Sequence, residues 1–79
     1  MNQTEKEAQR NRLLAFLRAG GLIATTECRE LLGIMHPAAR IMELRRAGHD
    51  IQTTWRYVTD GSNVVHRQGV YVLCRERQP

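Results

Sequence analysis

The sequence predicts an α+β domain, three helices followed by a β-hairpin, and three observations point there. Thr25 to Gly48, TTECRELLGIMHPAARIMELRRAG, reads as two short helices joined by a tight turn at Gly33. Thr4 to Ala19 upstream carries apolar residues at helical spacing. Downstream, two strand-like runs flank Asp60-Gly61-Ser62-Asn63, a strong turn signal. The expected helices are about 4–19, 26–32 and 37–47, and the expected hairpin strands about 49–59 and 64–74, in a single domain spanning 1–79.

Helix one is introduced by Thr4-Glu5-Lys6-Glu7, the form of a capping box in which Thr4 is the N-cap and Glu7 reaches back. Ala8, Leu13, Leu14, Phe16 and Leu17 supply its apolar positions, and Gly20-Gly21 ends it. Lys6, Arg10, Arg12 and Arg18 fall on the outer side, where a solvated face is expected. Leu22-Ile23-Ala24 is short enough and apolar enough to add a brief first strand to the later hairpin. Thr25 or Thr26 then caps helix two, with Glu27 in its first turn, where the helix dipole favours an anion. Cys28, Leu31 and Leu32 form its expected buried stripe, and Gly33 is expected at positive φ.

Helix three starts near His36 or Pro37, because proline suits a first helical turn. A step of about 100° per residue from an inward Ile41 puts Ile34, Pro37, Ile41 and Leu44 on one apolar seam. His36, Ala39, Glu43 and Arg46 take the opposite side, with Arg40 and Met42 on the flanks. Arg45 lands near the core edge, where a snorkelling or ion-paired role is expected. Beyond the helix-ending Gly48, Ile51, Thr53, Trp55 and Tyr57 share one strand face, while Gln52, Thr54, Arg56 and Val58 share the other. Trp55 is expected to pack between hairpin and helices. Val70 to Leu73 is the most apolar part of the return strand, Gly69 is a candidate bulge or bend, and Arg75 to Pro79 reads as a polar tail.

Composition bounds the function. A chain of 79 residues buries roughly 60% of its unfolded surface, which leaves no room for a deep catalytic pocket. Lys and Arg outnumber Asp and Glu by 12 to 8, for a net charge of +4, which suggests an anionic partner. All the basic residues but Lys6 are Arg; Arg forks suit phosphate and guanine edges, although a GC-rich genome favours Arg codons as well. Cys28 and Cys74 form no metal spacing and no disulfide framework and are expected as small buried hydrophobes in a reducing cytosol. The N-terminus has no apolar signal core and no stretch is long enough to span a membrane, so a cytoplasmic protein without membrane association is expected. His36, His49 and His66 show no metal-ligand spacing and the carboxylates no acid/base pairing. No catalytic residue, metal ligand or cofactor is expected.

A helix, a Gly turn and a second, basic helix make a helix-turn-helix arrangement, whose second helix enters a DNA major groove. With the flanking elements, the order becomes helix, short strand, helix, helix, strand, turn, strand: that of a winged helix. The run from Leu22 to Leu73 resembles the small winged helix-turn-helix domains of bacteriophage and prophage genomes. The likeness is carried by Leu32-Gly33-Ile34, Ala39-Arg40-Ile41-Met42-Glu43-Leu44-Arg45, Gly48-His49 and Gly69-Val70-Tyr71-Val72-Leu73; the ARI-x-ELR-x-x-GH segment is its distinctive part. Pro37 departs from the aliphatic residue such families often carry there, and this bears on the first turn of helix three. The resemblance implies a DNA-binding phage regulator or accessory protein, with a place in transcription regulation.

On that reading double-stranded DNA is the partner. His36, Ala39, Arg40, Met42, Glu43 and Arg46 lie near base edges or phosphates. Arg40 and Arg46 suit phosphate or guanine, Ala39 suits a thymine methyl, and Glu43 either accepts from cytosine or repels phosphate. Arg56, Asn63, His66 and Arg67 on the hairpin follow the backbone or minor groove. A domain this small makes few phosphate contacts, so a homodimer through the first helix or the hairpin edge is a further expectation. The alternative is a protein-interaction module, such as a phage-encoded inhibitor of a host or defence protein. Exposure of Met35, Met42 and Trp55 would favour it.

Overall fold

The computed structural model describes residues 2–75. Three helices and three strands follow in the expected order: α1 Gln3–Arg18, β1 Ile23–Ala24, α2 Thr25–Leu32, α3 Pro37–Arg46, β2 Asp50–Thr59 and β3 Val65–Arg75. The strands form one antiparallel sheet in the order β1-β3-β2. The brief first strand therefore exists, with Ile23 opposite Tyr71 and Ala24 opposite Val70. Three helices with a β-hairpin wing make the winged helix-turn-helix fold.

Apolar burial fixes the body of the molecule. Leu13, Leu14 and Leu17 from α1 and Cys28 from α2 meet Ile34, Ile41 and Leu44, with Ile23, Ile51 and Tyr71 closing the core from the sheet. The seam Ile34, Pro37, Ile41, Leu44 is buried along its whole length. Gly33 ends α2 at φ +67, a conformation that costs a residue with a Cβ about 1 kcal/mol or more. The Cys28 carbonyl accepts from the N–H of Gly33 and, at 3.0 Å, from that of Ile34, so the turn satisfies carbonyls that the helix end leaves open.

Several local expectations give way. Asn2, not Thr4, caps α1: its side chain accepts from the Glu5 N–H at 2.7 Å, and an amide oxygen two residues earlier adds half a turn to the helix. Gln9 takes the inward place and Ala8 is exposed. Neither threonine caps α2, because the helix already begins at Thr25 with Ala24 as N-cap; instead the Glu27 carboxylate accepts from the Ala24 N–H at 2.8 Å. Leu31 is 63% exposed, since a two-turn helix offers the core little more than its Cys28 side. The outer face of α1 is not simply solvated. Arg12 Nε donates to the Leu32 carbonyl at 3.0 Å and Arg10 reaches Glu43.

The hairpin departs most. Trp55 pairs with Gly69 in an unbroken register running from Ile51–Leu73 to Thr59–Val65, so Gly69 makes no bulge; the one irregularity lies at Asp50/Ile51. From Thr54 to Arg67 every residue is exposed. Trp55 is thus a surface residue: Thr53, which Arg45 of α3 reaches, is the last half-buried residue of β2, and the strand continues past it. Cys74 is exposed and Cys28 buried. Arg75 closes β3, so the expected tail begins later, and 76–79 lie outside the described residues. Among the described residues no helix is long and apolar enough to cross a membrane. The Cα radius of gyration is 13.3 Å, against roughly 12 Å for a compact chain of this length, as a protruding wing requires.

Candidate nucleic-acid interface

Pro37 occupies the first position of α3 with His36 as N-cap. It neither shortens nor displaces the helix, for its ring is part of the buried seam. This placement leaves His36, Ala38, Ala39, Met42 and Arg46 exposed on the far side of α3. Arg46 makes no side-chain hydrogen bond or ion pair among the described residues.

Arg40 and Glu43 are turned the other way. The Arg40 side chain is only 5% exposed. Its Nε lies 2.8 Å from Glu43 Oε1 and its Nη2 donates to Oε2 at 3.0 Å, a two-pronged contact within one helical turn. Arg10 of α1 adds a second guanidinium at 2.8 Å, and Gln9 Oε1 accepts more weakly from Arg40 at 3.4 Å. The Arg10 hydrogen bond, followed by the one from Arg40 Nη2 and by the charges of both guanidinium groups, holds the Glu43 carboxyl below its ordinary value. Glu43 is therefore the anionic centre of an α1–α3 clamp, and Arg40 is its buried inner partner. Both depart from their expected place in the interface. The side-chain period placed them at the flank and front of α3 but carries no information about what α1 brings opposite them.

Arg45 sits at the core edge as expected. Nε donates to the Ile51 carbonyl at 2.7 Å and Nη2 to Thr53 Oγ1 at 3.0 Å, joining α3 to the base of the wing. On the wing, Arg56 Nε donates to Gln68 Oε1 at 2.9 Å, and Gln68 donates in turn to Thr26 Oγ1 at 2.7 Å. Arg56 also stands 3.5 Å from Glu27. These contacts tie the wing to the first turn of α2.

At the tip, Asp60 Oδ1 accepts from the N–H groups of Ser62 and Val64 while Oδ2 lies 2.7 Å from His66 Nε2. The His66 hydrogen bond, then the backbone donors, lower the Asp60 pKa. Asn63 turns the chain at φ +64, a conformation Asn tolerates better than most residues. The Arg67 guanidinium carbon lies 4.1 Å from the centroid of the Trp55 ring, within the range of a cation–π contact.

Of the ten residues expected at the interface, His36, Ala39, Met42 and Arg46 share the open face of α3. Arg56, Asn63, His66 and Arg67 are exposed on the wing, three of them already engaged with neighbours. Trp55 and Tyr57, 53% and 73% exposed, were not expected there. Their alternation with polar neighbours set their common face but not whether helices lay over it. No curated protein and no solved structure matches the chain. Residues 8–76 match the family described as the winged helix-turn-helix domain, a match that runs from α1 to beyond the last residue of β3. The chain belongs to the winged helix-turn-helix domain family, a fold that suggests DNA binding.

Proposed function

We propose that the protein binds double-stranded DNA by seating α3 in the major groove, with His36, Ala39, Met42 and Arg46 toward the bases and phosphates. The wing follows the backbone or minor groove through Arg56, Asn63, His66 and Arg67. One observation carries the reading: the second helix of the helix-turn-helix presents a whole uncovered face ending in an unpaired Arg46, while the acid on that helix is already neutralised by two arginines. The resemblance of the ARI-x-ELR-x-x-GH segment to phage and prophage domains supports a phage-type regulator or accessory factor in the cytoplasm. The few cations available imply weak binding by one copy, so the operator-bound form is a pair of copies.

Fluorescence anisotropy with random duplex DNA at several salt concentrations tests this. Log affinity should fall linearly with log salt, with a slope of about −0.9 per contacted phosphate. Arg46→Ala should flatten that slope by about one contact. No duplex binding at low salt would sink the model. The second reading, a protein-interaction module acting on a host or defence protein, is favoured by the exposure of Met35, Met42 and Trp55, and it would gain if duplex binding failed.

A further inference from the structure

The wing carries an aromatic face of which the proposed groove docking uses only Arg67. Trp55 and Tyr57 stand on one side of β2, about 6.6 Å apart by strand geometry. On β3, Gly69 lies opposite Trp55 and Arg67 opposite Tyr57. A Cβ at Gly69 would come within 3.4 Å of Trp55 Cζ3, so the bare glycine lets the indole lie close over the β3 backbone. The Arg67 guanidinium carbon sits 4.1 Å from the centroid of that ring, and both residues are exposed.

Charge selects the partner. Between Thr54 and Gly69 the acidic residue is Asp60, already engaged with His66, whereas Arg67 brings a permanent cation to the aromatic face; Arg56 stands on the opposite face of β2, beside Gln68 and Glu27. Two exposed aromatic rings with the Arg67 guanidinium between them, on a face without a carboxylate, are complementary to a polymer that exposes both π-faces and phosphates. Duplex DNA hides its base faces within the stack; a single strand offers them. Stacking on aromatic rings and on Arg planes, with phosphate held at the Arg edges, is how single strands are bound without a sequence code.

We infer that the Trp55–Tyr57–Arg67 face of the wing is a binding site for single-stranded DNA, taking one or two unpaired bases on Tyr57 and the Arg67-covered indole. The site does not depend on α3, so it stands or falls separately from the duplex reading.

Trp55 is the sole tryptophan, so intrinsic fluorescence of the full chain reports on the site itself. Oligo-dT should quench it saturably, and a duplex of equal length should quench it less. Tyr57→Ala should weaken oligo-dT binding about 5- to 150-fold, the range for one lost base–aromatic stack, and leave duplex affinity unchanged. Arg46→Ala should do the converse. If the duplex fails to bind while oligo-dT still quenches, the groove model falls and this site survives. The assignment is overturned if oligo-dT leaves Trp55 fluorescence unchanged, if inorganic polyphosphate quenches equally, or if Tyr57→Ala binds oligo-dT like the parent. Tighter binding of oligo-U than of oligo-dT would overturn the DNA assignment. A sedimentation shift to dimer that Tyr57→Ala abolishes would assign the face to a second copy instead.

Discussion

The body and the wing of this domain are held together by different physics. In the body, Ile23, Ile34, Ile41 and Ile51 are removed from water almost completely, and each apolar side chain buried that way contributes about 1.5–3 kcal/mol. The wing from Thr54 to Arg67 has no buried side chain at all. Its order rests on the β2–β3 ladder, the Asp60 turn and short polar or cation–π contacts across the strands. The body exposes aliphatic side chains at Leu22, Leu31, Met35 and Met42, whereas the wing exposes aromatic ones, Trp55 and Tyr57, beside Val58, Val64 and Val65. Burial stabilises the body's interior, whereas neither exposed ring of the wing gains stability in that way, and this contrast supports the recognition role proposed for the wing.

The sharpest break between the two regions should come from paired truncations. Ile41→Ala is expected to destabilise the protein by about 2–5 kcal/mol through lost burial and a residual cavity, read as a lower urea midpoint. Tyr57→Ala serves as its counterpart on the wing and closes the series below. A comparable loss at both sites would abolish the distinction.

Next in size is the clamp between α1 and α3. Glu43→Gln leaves Arg40 buried beside a neutral amide and should cost about 1–3 kcal/mol at neutral pH. Because the folded-state pKa of Glu43 lies below its ordinary value of 4.5, its contribution is present above that value and is lost as pH falls through the lower folded-state pKa. Chemical denaturation between neutral and acidic pH should therefore show a decline that is shallower in Glu43→Gln. An unchanged pH profile would remove the clamp from the account.

Gly33→Ala puts a Cβ into the left-handed turn between α2 and α3 and should cost about 1 kcal/mol, again by urea denaturation. Space is not the issue, since nothing lies within 4 Å of that Cβ. An unaltered midpoint would mean that the turn relaxes.

The two cysteines differ in burial. Burial, then the neighbouring Glu27 charge, pushes the Cys28 thiol up to about 11, while Cys74 is exposed. A thiol-specific chromogenic reagent should label Cys74 in the native state and Cys28 only on unfolding. Tyr57→Ala carries the smallest effect, a change in stability within about 0.5 kcal/mol.

The parts of this architecture legible in the sequence are those set by local periodicity. The seam Ile34, Pro37, Ile41, Leu44 follows from the helical repeat alone, Gly33 from its freedom at positive φ, and the wing turn from Asp60-Gly61-Ser62-Asn63. Arg45 could be separated from Arg46 because one step of 100° moves a side chain from the open face to the core edge. Arg40 could not be separated in this way, for its partner Gln9, and Arg10, which shares Glu43 with it, stand about thirty residues away on another helix. Trp55 escaped for a related reason. Strand alternation says which residues share a face, but where that face leaves the helices depends on how far the body extends beneath it. Capping was ambiguous at short range, since Asn2 and Thr4 both offer an oxygen and only the start of the helix decides between them.

The contact between Arg56 and Glu27 has a consequence for how salt titrations are read. At 3.5 Å and with both side chains more than a third exposed, it is a pair that mobile ions attenuate: the Debye length shrinks from about 10 Å at 0.1 M to about 3 Å at 1 M. Raising ionic strength thus loosens one strap between wing and body at the same time as it makes counterion release on the proposed DNA binding less favourable. The apparent ion stoichiometry of binding then contains a contribution from the protein's own geometry, and counting phosphates from the slope overestimates them. Glu27→Gln, which removes the strap's charge while keeping its shape, separates the two contributions.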